Sequence, residues 1–247
     1  GSAYVFALPA PTDYAETAKL TAADAAAGDN FGRSVAIDGG TVVVGAFKDD
    51  DAGSKSGSAY VFRTSDGGAT YDQVAKLTAS DAAGDDQFGR SVAIAGGTIV
   101  VGATQNFFSG SGAVYVFSTS DGGATYVQMA KLTPSDAAVG APGDYLGYSL
   151  AIDGSTVVVG ATHDDDGGSD SGSAYVFALP APTDYAETAK LTAADAAAGD
   201  NFGRSVAIDG GTVVVGTEGT GAAYVLRTTD GGATYSQVAK LTASDAA

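Results

Sequence analysis

The chain has no cysteine and no tryptophan, and only one methionine and one histidine, in 247 residues. Without cysteine there is neither a disulfide nor a thiolate metal site. A single histidine, His163, leaves no His-based metal triad and no Ser-His-Asp relay, and its place beside Asp164 reads as a surface position. Basic residues are scarce as well: 12 Lys and Arg against 29 Asp and Glu give a net charge of −17. Such a surface repels nucleic acid and anionic membranes and attracts cations and basic surfaces, so no nucleic-acid partner is expected. No apolar run approaches the length of a membrane span, so no membrane insertion is expected. The many glycines belong to turns, with no P-loop or dinucleotide fingerprint among them. The first residue is not Met and falls in mid-repeat, so the chain is expected to be a segment of something longer.

What the chain does contain is repetition. Phe31-Gly32, Phe88-Gly89, Leu146-Gly147 and Phe202-Gly203 recur about 57 residues apart, and Gly1 to Gly45 returns unchanged as Gly172 to Gly216. With 45% apolar residues in regularly spaced Val/Ile/Tyr/Phe runs, the composition predicts an ordered chain with a sizeable core.

Each unit predicts four short strands. Ser34–Ile37 is followed by the turn Asp38-Gly39-Gly40, whose residues tolerate positive φ, and then by Thr41–Val44, a β-branched run suited to burial on both faces. Ser58–Phe62 and the alternating Gln73–Leu77 complete the set. No segment carries a 3.6-residue apolar period. A lone four-stranded sheet with two apolar faces cannot bury both, whereas neighbours stacked face to face can. The expected fold is therefore all-β: a β-propeller of four-stranded antiparallel blades at 31–83, 88–138, 146–196 and 202–247. Residues 1–30 supply a half-blade, so the whole of 1–247 reads as a single propeller region, part of a larger propeller or array.

The order F-G-x-S-x-A, V-V-V-G-A, G-S-A-Y-V-F resembles the FG-GAP repeats of integrin α-subunit propellers and their bacterial and algal relatives. It is carried by Phe31-Gly32, Val44-Gly45-Ala46 and Gly57–Phe62, and again by Phe88-Gly89, Val101-Gly102-Ala103 and Gly112–Phe117. The third unit has Leu146-Gly147 and the fourth Gly216-Thr217. Three turns, around Asp66, Asp121 and Asp230, match the Asp-box pattern S/T-x-D-x-G-x-T-aromatic. The resemblance implies an extracellular or cell-surface structural or adhesion module, non-catalytic, that presents loops on a propeller face to protein or glycan partners. Neighbouring copies, or the rest of a parent chain, are the other partners considered. A spacer, coat or filament component is one alternative. A sialidase-like glycosidase is another, suggested by Arg33, Arg90 and Arg204, which follow the Phe-Gly pair, with Tyr148 in the third unit.

Candidate sites lie in the loops. "FKDDDAGSKSGS" sets out Asp49, Asp50 and Asp51, and "THDDDGGSDSGS" sets out Asp164, Asp165, Asp166 and Asp170. Carboxylates in a Gly/Ser loop suit Ca²⁺, which takes six to eight oxygens; the competing reading is a solvated acidic turn. Integrin-type repeats place D-x-D-x-D-G loops between first and second strands, where this chain has only "DGG" or "DGS", so any calcium site is of another design. Asp24 with Asp29, Asp81 with Asp85 and Asp86, Asp136 with Asp144, and Asp195 with Asp200 lie between units. They read as turn caps paired with the next strand's arginine rather than as an acid/base couple. Phe107 and Phe108, in an otherwise polar loop, either pack over the blade edge or contact a partner. Specificity is expected in the unlike loops Phe47–Gly57, Ala103–Gly112, Ala161–Gly172 and Thr217–Gly221.

Overall fold

In the computed structural model, residues 1–7, 15–105, 110–136, 143–179 and 185–244 are described. Among them there is no helix, and hence none long and apolar enough to cross a membrane. Among the described residues, eighteen strands form one two-stranded sheet and four four-stranded sheets. The first sheet pairs β1 (Ala3–Phe6) with β2 (Glu16–Leu20). The second runs β3 (Ser34–Asp38), β4 (Thr41–Ala46), β5 (Ser58–Arg63), β6 (Asp72–Leu77), each antiparallel to its neighbour in chain order. The same meander returns in β7 (Phe88–Ala95) to β10 (Val127–Leu132), β11 (Leu146–Asp153) to β14 (Ala186–Leu191), and β15 (Ser205–Asp209) to β18 (Ser236–Leu241).

The repeat explains the stacking. In β4 the alternate residues Val42 and Val44 face one way and Val43 the other, and all three are buried. Val42 and Val44 join Leu20, Ala3 and Val5 of the two-stranded sheet in one cluster. Val43 joins Phe88, Val92, Ile99 and Tyr115 of the following sheet in another. Two more clusters tie β7–β10 to β11–β14, through Val100 and Val157, and β11–β14 to β15–β18, through Val158 and Val213. Each hydrophobic cluster thus belongs to a pair of sheets, as blades wedged side by side require. The outer flanks lack this cover. Val35 of β3 is 58% exposed, whereas its counterpart Val92 in β7 is 7% exposed.

Two motif glycines let the blades approach. A Cβ on Gly45 would lie 2.1 Å from the Gly89 carbonyl oxygen, and one on Gly57 2.0 Å from that of Phe88. Gly57 also has φ +81°, which favours glycine, and forms a parallel bridge to Phe88. The phenylalanine of the Phe-Gly pair packs edge-on to the third-strand tyrosine of its own blade, with Phe31–Tyr60, Phe88–Tyr115 and Phe202–Tyr224 centroids all 5.5 Å apart. Leu146 takes the same place, fully buried, in the third full blade.

Candidate functional site: the loop face

The loops from second to third strand lie against the segments that link one blade to the next. The Lys48 amide donates to the Asp29 carbonyl at 3.2 Å, and the bond recurs from Gln105 to Asp86, His163 to Asp144 and Glu218 to Asp200. Four unlike loops are therefore held on one face by a common anchor. The opposite face carries the two-residue turns and the Thr-x-Asp-x-Gly-x-Thr hairpins. There Asp66 Oδ1 accepts the Thr70 amide at 2.9 Å while Oδ2 accepts the Thr70 hydroxyl at 2.7 Å. Asp121 and Asp230 repeat this arrangement with Thr125 and Thr234. These bonds to Thr70, Thr125 and Thr234 hold the three carboxyls far below the usual carboxylate range.

On the loop face the structure divides the acidic residues. Asp49 and Asp51 come together with Asp24 of the preceding linker, and Asp164 and Asp166 with Asp136. In each group the carboxylate oxygens lie within 4.8 Å of one another, a spacing that could hold a metal ion. The structure sets a lysine ammonium there. Lys76, from the fourth strand of the same blade, reaches Asp24 at 2.6 Å and Asp49 at 3.2 Å, and also contacts Asp51. Lys190 reaches Asp136 at 2.5 Å, Asp164 at 2.8 Å and Asp166 at 2.6 Å. Asp49 and Asp164 are buried, and each also accepts a hydrogen bond from a fully buried tyrosine: Tyr60 at 2.7 Å and Tyr175 at 2.8 Å.

Burial works against the charge on Lys76. Hydrogen bonds to Asp24, Asp51, Tyr60 and Asp49 outweigh it and hold the ammonium well above its ordinary pKa; Lys190 behaves alike. The two tyrosines are pushed far up by burial and by the carboxylates they donate to.

Asp50, Asp165 and Asp170 stand outside these groups. Asp50 accepts the Lys55 amide and Asp165 the Asp170 amide, each at 2.7 Å, which shapes the loops. The other two full blades carry a reduced version. Lys131 pairs with Asp81 at 2.7 Å and Lys240 with Asp195 at 2.6 Å; the loop at 104–112 has no carboxylate, and Glu218 of the last loop pairs with Arg204 instead.

The linker carboxylates thus meet fourth-strand lysines, not the arginines expected. Asp29, Asp86 and Asp200 instead accept amides three residues back, from Ala26, Ala83 and Ala197, and cap their turns as expected. Lys76 and Lys190 escaped the sequence reading because they lie 27 and 26 residues from the loops they neutralise. The signal that could have found them was the recurrence of K-L-T in every unit.

His163 is half-buried rather than on the surface. Its ring meets Tyr145 edge-on at 4.4 Å, and its Nδ1 lies 2.9 Å from the Thr162 hydroxyl. Phe107 and Phe108 lie outside the described residues. Arg33, Arg90, Arg204 and Tyr148 are on the first strands and their lead-ins, apart from the two lysine-centred carboxylate groups, and line one cavity with Ser34, Ser91, Ser149 and Ser205.

No curated protein matches the chain. Many solved chains do match it, among them the Saccharomyces cerevisiae protein Sqt1. That likeness is one of fold, at 13% identity and a TM-score of 0.51 over 87% of this chain; the chain spans 48% of Sqt1. The FG-GAP repeat matches four times, at residues 14–62, 71–117, 126–177 and 185–235. With blades, motif glycines and repeat matches in register over most of its length, the chain belongs to the FG-GAP repeat family and folds as a β-propeller of the kind that serves protein interaction.

Proposed function

We propose that the protein is a non-catalytic recognition module outside the cell that presents its second-to-third-strand loops to a protein or glycan partner. The observation that carries this reading is the contrast on the loop face: one repeated backbone anchor holds four loops of unlike sequence, of which only the two with Asp triplets share a length. Conserving a scaffold while varying only what it displays is how binding surfaces are built on rigid folds. The adhesive and extracellular parts of the reading rest on the FG-GAP resemblance.

The acidic residues support a non-catalytic role. An acid/base pair needs two carboxylates free to exchange protons with substrate, and Asp24, Asp81, Asp136 and Asp195 are instead engaged with lysines and Asp29, Asp86 and Asp200 with turn amides, which leaves Asp144, its carboxyl pushed up by burial, without a paired partner for such work. Calcium enters this reading as a competitor for Lys76 and Lys190, with Asp24, Asp49, Asp51, Asp136, Asp164 and Asp166 as its ligands. A bound ion would replace an ammonium already held by three carboxylates.

The test is binding of the purified protein to a glycan array and to intact cell surfaces. Replacing 47–57 by the short 217–221 loop, which also forfeits the stability of the Lys76 pairing with Asp49 and Asp51, or making Phe107→Ser and Phe108→Ser together, which should leave the melting temperature within a few degrees, should each abolish a specific signal. A signal indifferent to both changes, or no signal at all, favours a spacer.

A further inference from the structure

Around the propeller axis the charge of the molecule reverses. The lead-ins and starts of the four first strands, β3, β7, β11 and β15, converge on a cavity of about 580 Å³. Its walls carry Arg33, Arg90 and Arg204 but no acidic side chain. Arg204 Nε has one exposed partner, Glu218, at 3.3 Å. Among the described residues no carboxylate lies within ion-pair distance of Arg33 or Arg90. In a chain with 29 acidic residues that is a costly omission, because three like charges facing one space repel one another. The repulsion is felt at Arg90, whose pKa is lowered by burial and then by Arg33 and Arg204.

The guanidinium groups are also held in place. The Arg90 and Arg204 guanidinium carbons each stand 4.7 Å from the centre of the Tyr148 ring, and that of Arg90 lies 5.1 Å from the Phe47 ring. The one unit without arginine thus supplies the aromatic plate on which two neighbouring arginines stack. Three of the four serines beside them are already committed. Ser34, Ser91 and Ser149 each donate to the carbonyl of the next blade's Phe-Gly or Leu-Gly glycine, Gly89, Gly147 and Gly203, at 2.7 to 2.9 Å. They stitch the blades together and leave the guanidinium N–H groups, with the Ser205 hydroxyl, as the donors facing the cavity.

We propose that this axial cavity binds a small oxyanion carrying two or more negative charges, gripped by Arg33, Arg90 and Arg204 with Tyr148 fixing the fork of two of them. Guanidinium groups present paired donors that match carboxylate, sulfate and phosphate oxygens. The volume suits a compact organic anion as well as an inorganic one. The arginines and Tyr148 belong to the first strands and their lead-ins and not to the displayed loops, which touch the site only through Phe47 and Glu218.

Calorimetric titration of the intact protein with sulfate and, separately, with citrate tests it at fixed ionic strength set by chloride. At least one anion should give saturable heat at one site per chain, weakening steeply as chloride is raised. Citrate alone would identify a polycarboxylate site, and sulfate alone a site for compact tetrahedral anions. R33Q and R90Q should each weaken binding by about tenfold or more, the loss expected for a charge-assisted contact. R33Q guards against misfolding, because Arg33 is exposed and makes no aromatic contact that R90Q would disturb. Absence of saturable heat with both anions, or an affinity unchanged in R33Q, overturns the proposal.

Discussion

The Lys190 ammonium lies 2.8 Å from the carboxylate of Asp164, which is itself buried against the hydroxyl of Tyr175. Lys76 and Asp49 stand in the same relation two units earlier in the chain, so the pair is a device of the repeat and not an accident of one loop. Removing one partner of a buried ion pair leaves a charge without compensation, which costs about 3 kcal/mol or more. K190A should therefore lower the melting temperature by about 6–12 °C, given about 2–4 °C per kcal/mol at this size. K131A, whose partner Asp81 is exposed, should cost at most about 1 kcal/mol.

The same variants decide the place of calcium. With both lysines present, chelator and millimolar Ca²⁺ should give the same melting curve. In K76A and K190A the three carboxylates lose their ammonium, and Ca²⁺ should then restore stability by mass action. A wild-type protein that melts markedly lower in chelator would mean that the ion, and not the lysine, holds these loops.

Stacking makes a prediction that compares like with like. Val92→Ala removes two methyl groups from the packed seam between the β3–β6 and β7–β10 sheets and should cost about 2 kcal/mol. Val35→Ala makes the same change at the equivalent position of β3, where the side chain is 58% exposed, and should stay within about 0.5 kcal/mol of wild type. Equal losses at the two positions, measured by denaturant unfolding, would mean that β3 is covered in solution.

Why the sheets could be read from the chain, and the cages could not, follows from these residues. Val42, Val43 and Val44 announce a strand buried on both sides, and the recurring Gly45 and Gly57 announce close approach between blades; each is a local signal multiplied by repetition. The loop Asp triplets were equally visible, but their meaning depended on a cation brought from a distant strand. Asp49 and Asp50 are neighbours in sequence with unlike fates, one facing Lys76 and the other capping the Lys55 amide. Side-chain direction within an irregular loop has no period, so nothing in the triplet itself separates them. The axial arginines were legible as residues; the missing carboxylates around them were a property of the assembled blades alone.

Acidity should act through Asp144, whose carboxyl is pushed up to about 6 by burial and then by the nearby charge of Asp164, against a smaller opposing bond from Ser111. A raised carboxylate pKa means that the folded state disfavours the ionised form. The resulting penalty is absent below the unfolded pKa near 4, grows as pH rises toward 6, and is complete above it. D144N should therefore raise the melting temperature at pH 7, by about 2–4 °C once partial exposure is discounted, and leave it unchanged at pH 4. A stabilisation of the same size at both pH values would assign the effect to packing instead of charge.

The glycine after the triple-valine run offers the sharpest test, because the chain carries its own control. A Cβ on Gly45 would meet the Gly89 carbonyl oxygen at 2.1 Å, and on Gly160 that of Gly203 at 2.0 Å. Both contacts are to the backbone of the next blade, so nothing can swing aside. The equivalent Gly216 sits in the last sheet, and a Cβ there would meet only the hydroxyl of Ser205 at 2.4 Å, the end of a side chain that can rotate away. G45A and G160A should force neighbouring blades apart, at a cost of about 3 kcal/mol or more, comparable with severe overpacking. G216A should lie within about 1 kcal/mol of wild type. Urea unfolding of the three variants gives the comparison, and a G216A as damaging as G45A would mean that the outer flank of the last sheet is occupied by another blade in solution.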